Sequence, residues 1–230
     1  MKLKKIPIPV YMLAVSALGG FLHSLLYMTG LDEKGLLIPG QPVELLLWLV
    51  TAGAVVLAVL YSRQPPMPQN RKLHAVACWL LAVCILADIF LGLTEVRTRL
   101  GWLTQIAGIL CCAGLIWAGA CQFTGKPVFF LAHGAVCLYF ALRLVSSYHN
   151  WSGTPRILDY VFSMFSLVFL ALFAYHRTAA DVGMGKPRMQ RLCAMLALYC
   201  TFVGSPMSIA PSSLAAALWV FTDPQNPEKE

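Results

Sequence analysis

Asp88, Arg143 and His23 are ionisable side chains that lie inside long apolar runs of this sequence. Such groups are costly in hydrocarbon unless they pair with one another or face a water-filled cavity. The most economical arrangement is an ion pair between Asp88 and Arg143, with His23 beside it as a proton-responsive group. This combination predicts a polar site that binds a small solute or an ion.

Helical spacing adds further polar groups to the predicted site. Tyr139, Ser147 and Asn150 recur on the same helical face as Arg143, because residues three or four positions apart lie above one another on a helix. Ser163 falls near the start of the next apolar run, at a similar level. The candidate ligand-binding residues are therefore Asp88, Arg143, His23, Tyr139, Ser147 and Ser163.

Packing explains part of this pattern equally well, and the sequence leaves the alternatives open. The pair could only pin two helices together, or Arg143 could extend its side chain to the lipid headgroups. His133, in the same run as Arg143, is typical of a hydrogen-bonded packing residue rather than a proton relay. Ser16 and Gly20 share the helical face of His23, and such small residues allow a neighbouring helix to approach closely.

The segment TFVGSPMSIAPSSLA, residues 201–215, should interrupt the last apolar run. Each of its prolines removes a backbone donor and clashes with the preceding turn, so the helix is expected to kink or break there. Transporters build sites near the membrane midplane from such interrupted helices, although prolines also occur in gently kinked membrane helices. The predicted gate or broken helix consists of Gly204, Ser205, Pro206 and Pro211.

The composition predicts the environment of these elements. Of the 230 residues, 59% are hydrophobic and 12% are charged, which is about half the charged fraction of soluble domains. The net charge of +7 is spread over short clusters between apolar runs. It does not form the basic, aromatic-rich patch of a nucleic-acid-binding domain. The predicted partner is therefore a lipid bilayer and not a nucleic acid.

Seven apolar runs are long enough to cross a bilayer, which requires about 20 residues each. They predict an all-α fold, an integral membrane bundle of seven transmembrane helices in a single domain over residues 1–223. A short disordered tail, 224–230, should follow. The predicted spans are Ile6–Thr29, Val43–Ser62, Leu73–Leu93, Trp102–Phe123, Val128–His149, Leu158–His176 and Leu192–Phe221, the last kinked or broken at Pro206/Pro211.

Charge asymmetry between loops predicts the orientation. The N-terminus and the second, fourth and sixth loops are basic, whereas the first loop and the tail carry more acidic than basic residues. The positive-inside rule then places the N-terminus inside and the C-terminus outside. In this orientation Asp88, Arg143 and His23 lie in the outer halves of their helices, so the predicted pocket faces outward.

Motifs for catalysis and cofactor binding are missing from the sequence. It contains no serine nucleophile elbow, zinc-binding histidine pair or phosphate-binding glycine loop. No span contains a lysine for a retinal Schiff base. The eight cysteines lie within or at the edges of apolar runs, as small packing residues do. We therefore expect no enzyme activity, no cofactor and no metal.

The stretch from NWSGTPRILDY through AYHRTAADVGMGKPR resembles uncharacterised multi-spanning membrane proteins of anaerobic Gram-positive bacteria. This resemblance implies a bacterial cytoplasmic membrane and no particular activity. The leading hypothesis is binding or transport of a small solute or ion through the outward-facing pocket. The alternative is a sensor or structural subunit of a membrane complex, in which the ion pair is structural. Both hypotheses leave open whether the protein binds a protein partner or a second copy of itself.

Overall fold

The computed structural model of the chain describes residues 8–30, 38, 40–64, 70–92, 98–151, 157–204 and 211–223. Eight helices form the regular structure of these ranges, and the predicted all-α class is confirmed. The helices are α1 (Ile8–Thr29), α2 (Pro42–Ser62), α3 (Arg71–Gly92), α4 (Arg99–Thr124), α5 (Phe130–Trp151), α6 (Ile157–Asp181), α7 (Pro187–Val203) and α8 (Pro211–Phe221).

Local sequence sets several helix ends. Helices α2 and α7 each begin at a proline, whose fixed φ suits the first turn and whose missing N–H is not needed there. Thr98 caps α4, because its hydroxyl oxygen accepts a hydrogen bond of 3.1 Å from the Gly101 N–H. Helix α4 stops at Gly125, whose φ of 73° is a left-handed conformation that suits glycine.

Helices α1 to α6 are each long and apolar enough to cross a membrane. Their most apolar windows have a mean hydropathy between 1.4 and 2.4. Large apolar side chains are exposed on the outside of the bundle, among them Phe21 at 64%, Trp117 at 60% and Leu91 at 78%. A water-soluble monomer does not expose apolar patches of this extent. These features are those of a multi-pass membrane protein.

Helix α7 occupies the centre of the bundle. It packs against α1, α2, α6 and α8, whereas α3 to α6 pack against one another in chain order. Residues from Gln190 to Val203 are buried on every side of α7. Helix α8 packs between α7 and α3. The centre of the fold is therefore formed by the segment that was predicted from the sequence as the last span, with an interruption.

That segment is two helices joined by a reversal of direction. Helix α7 ends at Val203 and α8 begins at Pro211. Asp223, which follows α8, accepts a 2.5 Å hydrogen bond from Nε2 of Gln190, close to the start of α7. The seven-span count and the orientation predicted from the sequence are therefore not confirmed. Ser205, Pro206 and the tail 224–230 lie outside the described residues.

The physical reason for the reversal lies in length and polarity. Helix α8 has 11 residues and is therefore about 16 Å long, about half the thickness of a bilayer core. Its polar end, Thr222 and Asp223, is buried and requires hydrogen-bond partners. Those partners are supplied at the end of the bundle where α7 begins.

Small residues bring α1 onto α7, as the sequence predicted for the face that contains Gly20. A Cβ atom on Gly20 would lie 2.9 Å from the Phe202 carbonyl oxygen, and one on Gly19 would lie 2.8 Å from the Val203 side chain. Backbones that approach this closely leave no room for a larger residue. The contact fixes the middle of α1 against the last turn of α7.

Candidate functional site

Asp88 and Arg143 form the ion pair that the sequence predicts. Nη2 of Arg143 lies 3.5 Å from Oδ2 of Asp88, and the two side chains are 31% and 24% exposed, respectively. Asp88 is on α3 and Arg143 on α5, and α4 packs against both helices. The pair therefore connects two helices that flank α4, at a depth where an unpaired charge would be costly.

Tyr139 positions the guanidinium of Arg143 from one turn earlier on α5. Nη1 of Arg143 donates a 2.9 Å hydrogen bond to the Tyr139 hydroxyl oxygen. The guanidinium carbon lies 5.8 Å from the centre of the Tyr139 ring, within the range of a cation–π contact. Because Tyr139 is only 4% exposed, its ring cannot move freely. Arg143 is therefore held in one place, with N–H groups left to bind another molecule.

Arg143 lines a cavity of about 240 Å³ between α3, α5, α6, α7 and α8, which we call the serine cavity. Ser147 and Ser163, both predicted site residues, line it as well. Its polar lining is completed by Ser166, Thr201, Gly204, Ser212 and Ser213, and its apolar lining consists mainly of Leu81, Ile85, Phe140, Leu167 and Leu170. Polar groups thus converge on one space inside an apolar bundle.

Hydroxyl groups satisfy the end of α7 beside this cavity. The Ser163 hydroxyl donates a 2.7 Å hydrogen bond to the carbonyl oxygen of Gly204, which follows α7. The Ser166 and Thr201 hydroxyls are 2.7 Å apart. Helix ends leave carbonyl groups without intrahelical partners. The Ser163 hydroxyl is the hydrogen-bond partner of one such carbonyl group. The predicted residues Ser163 and Gly204 are therefore brought together, by a bond between α6 and α7.

His23 lies beside the end of α7 and does not line the serine cavity. Its Nδ1 lies 2.6 Å from the Val203 carbonyl oxygen, and its ring packs edge-on against Phe162 at 5.4 Å. It is fully buried and is not among the residues that line the serine cavity. The proximity of His23 to the Asp88–Arg143 pair therefore stays a prediction. The ring helps to fix α1 against the end of α7.

Four lining residues with hydroxyl groups were not singled out from the sequence: Ser166, Thr201, Ser212 and Ser213. A signal existed for Ser166, which lies three residues after Ser163 and hence on the same face of α6. Ser212 and Ser213 were visible only as part of a serine-rich segment. Their place in the cavity depends on the return of α8, which the sequence did not predict.

A second polar cluster lies at the opposite end of α8. Asp223 is 2% exposed, and its carboxylate lies 3.2 Å from Nη1 of Arg177 as well as 2.5 Å from Nε2 of Gln190. Nε2 of His74 is 3.9 Å from the same carboxylate. We call Asp223, Arg177, Gln190 and His74 the α8 anchor. It joins α3, α6 and α7 to the end of α8.

His133 and Trp219 adjoin the α8 anchor. Nδ1 of His133 is 2.6 Å from Oδ2 of Asp181, so this buried ring is a hydrogen-bonded packing residue. The Trp219 ring stacks between His133 and His74, with ring centres 6.5 Å apart on each side. These contacts add aromatic packing to the polar fastening of α8.

The chemistry available in the serine cavity is hydrogen bonding and charge recognition. Arg143 supplies a cation, and the serine and threonine hydroxyls both donate and accept. All eight cysteines are free thiols. Within the part of the chain that the structure describes, no three His, Cys, Asp or Glu side chains are grouped to hold a metal ion.

Comparison with known proteins gives no relative: the chain matches no protein-family model, no curated protein and no solved structure.

Proposed function

We propose that this protein binds a small polar solute in the serine cavity, reached from the outer face of a bacterial cytoplasmic membrane, and passes it across. The observation that carries the proposal is the cavity itself. Arg143, fixed by Asp88 and Tyr139, meets hydroxyl groups from three other helices at the end of an interrupted helix. This arrangement is how transporters provide a polar site inside hydrocarbon. No bond-making chemistry is proposed.

The proposed topology is six spanning helices, α1 to α6, with the α7–α8 pair inserted from the inner side and returning to it. Basic residues support this orientation, because Arg63, Arg71, Lys126 and Lys186 all adjoin the end where α7 begins. Arg143 lies toward the opposite, outer end of α5. Chain segments that enter and leave a membrane on one side are tolerated where protein surrounds them, as it surrounds α7.

Cysteine labelling at Ser147 tests the proposal. The eight native cysteines are replaced by alanine, and Ser147→Cys is introduced into this background. Whole cells are then treated with a membrane-impermeant maleimide. We expect Ser147→Cys to be labelled from outside, because Ser147 lines a hydrated cavity.

Val145→Cys is the matched control, since Val145 lies two residues away on α5 with 52% of its surface exposed to the lipid side. A thiol in hydrocarbon does not ionise and should stay unlabelled. If Ser147→Cys were as inert as Val145→Cys in folded protein, the cavity would not be open to the outside. The alternative of a sensor or structural subunit with a structural ion pair would then be favoured.

A further inference from the structure

We infer that the N-terminus of α8 holds the charged group of the solute, and that this solute is a small, singly charged anion, a carboxylate with a short apolar body. The inference rests on the proposed function and names the class of solute. Its site consists of Ser212, Ser213 and Arg143, which line the serine cavity together.

Ser212 is the first reason. It lies in the first turn of α8 and is only 4% exposed. Its hydroxyl is buried without a hydrogen-bond partner in the described part of the chain, although buried hydroxyls are normally paired. Because Ser212 lines the serine cavity, a bound molecule would supply the missing partner.

The helix end is the second reason. The first backbone N–H groups of a helix have no partner within it, and aligned peptide dipoles place roughly half a unit of positive charge there. The N-terminus of a helix is therefore a natural site for an anion. Ser212 and Ser213 bring this end of α8 to the wall of the cavity.

The charge balance selects a single negative charge. Among the described residues that line the cavity, Arg143 is the charged one. Asp88, which does not line the cavity, neutralises most of the positive charge of Arg143. The remaining field is that of the α8 N-terminus and the unpaired side of the guanidinium. It favours an anion over a cation, and it is too weak to balance two negative charges.

The opposite wall indicates the body of the solute. Leu81, Ile85 and Phe140 face the same space as the serines, joined by Leu167 and Leu170. A solute that is charged throughout would leave these side chains in contact with its polar groups. A carboxylate with a short apolar body would satisfy both walls at once.

The test compares two impermeant thiol reagents on Ser147→Cys in the cysteine-free background. One is the anionic sulfonatoethyl methanethiosulfonate and the other its cationic trimethylammonium counterpart. The rate constant of the anionic reagent with this cysteine is divided by that of the cationic reagent. This ratio is then divided by the same ratio measured with 2-mercaptoethanol in solution, which corrects for the intrinsic reactivity of the two reagents. We expect the anionic reagent to be favoured by on the order of tenfold, because the field at the α8 N-terminus attracts one and repels the other.

The outcomes separate the two proposals. If neither reagent reacts, the outward cavity and this inference both fail. If both react at the ratio of the free thiol, or the cation is favoured, the cavity stands and the anion site is overturned.

Substitution of Ser212 tests the position of the charge. Ser212→Asp places a carboxylate where the carboxylate of the solute would lie, and it should abolish the preference for the anionic reagent. Ser212→Asn introduces a side chain of the same shape as aspartate but without the charge, and it should retain the preference. Thermal unfolding verifies that both variants are folded, and Ser213→Asp replaces Ser212→Asp if the latter is not. An unchanged ratio in the folded aspartate variant would overturn the assignment.

Discussion

Arg143 shows how a permanent cation is accommodated inside an apolar bundle. It has a carboxylate at 3.5 Å, a tyrosine hydroxyl at 2.9 Å and a cavity on its remaining side. Each contact replaces part of the hydration that the guanidinium loses. The partial exposure of Arg143 and Asp88 matters as well, because the pair is neither fully desolvated nor free in water. We therefore expect its stabilising effect to lie between those of buried and surface pairs.

Removal of either Asp88 or Arg143 should destabilise the protein by more than the net stabilising effect of the ion pair. Asp88→Asn and Arg143→Gln are each expected to lower the free energy of unfolding by about 2 kcal/mol, because each leaves a charge without its partner. The double variant should lose about 1 kcal/mol less than the sum of the two. Unfolding of the purified protein in mixed micelles measures all three values.

Arg99→Gln is the control for this cycle, since Arg99 is an exposed cation at the start of α4. It should change stability by less than about 0.5 kcal/mol. Strict additivity of Asp88→Asn and Arg143→Gln would mean that the two groups do not interact. It would leave the serine cavity in place but without its charged pair.

At the scale of elements, α8 determines the architecture. It is too short to cross a bilayer alone. It packs mainly between α7 and α3, and its Trp219 also contacts side chains of α5 and α6. Its first turn reaches the serine cavity and its last turn reaches the α8 anchor. One short helix therefore connects the proposed binding site with a buried polar cluster at the other end of the bundle.

The α8 anchor should be essential for the position of α8. Asp223→Asn removes the charge that faces Arg177 at 3.2 Å in a site that is 2% exposed. We expect it to lower the free energy of unfolding by about 3 kcal/mol, because it breaks a buried ion pair, even though Asp181 still lies 4.0 Å from Arg177. Unfolding in mixed micelles measures the loss.

Lys126→Gln serves as the control for charge removal at the same end of the bundle, since Lys126 is exposed. Its effect should stay below about 0.5 kcal/mol. An Asp223→Asn variant as stable as the control would show that the anchor does not hold α8.

At the scale of the whole molecule, the bundle is asymmetric along its axis. One end carries the basic loops and the α8 anchor, and the other carries Arg143 and the serine cavity. Helix α8 ends at the basic end, where Asp223 meets Gln190 near the start of α7. The proposed topology of six spanning helices has an even number of crossings, in keeping with this asymmetry.

The two ends of the chain should therefore lie on one side of the membrane. A reporter that fluoresces only in the cytoplasm, fused after Glu230, should be active, as should the same reporter fused at the N-terminus. Arg99→Cys in the cysteine-free background should be labelled by an impermeant reagent from outside, and Lys126→Cys should not. A reporter that is inactive after Glu230 but active at the N-terminus would restore the seven-span topology.

The sequence alone determined the all-helical class and favoured the Asp88–Arg143 pair over an unpaired Arg143, for the same reason. Hydrocarbon leaves a backbone no alternative to internal hydrogen bonds, and it leaves embedded charges little choice but each other. The placement of Tyr139 and Ser147 with Arg143 also followed, because it requires only helical periodicity.

Only the tertiary structure decided where α8 runs, that His23 contacts Val203 and that Ser212 lines the cavity. The prolines of residues 201–215 predict a break, but they carry no information about the direction of the chain after it. That direction is set by contacts between residues far apart in sequence, above all Asp223 with Arg177. The free energy of such contacts depends on geometry that helical spacing does not contain.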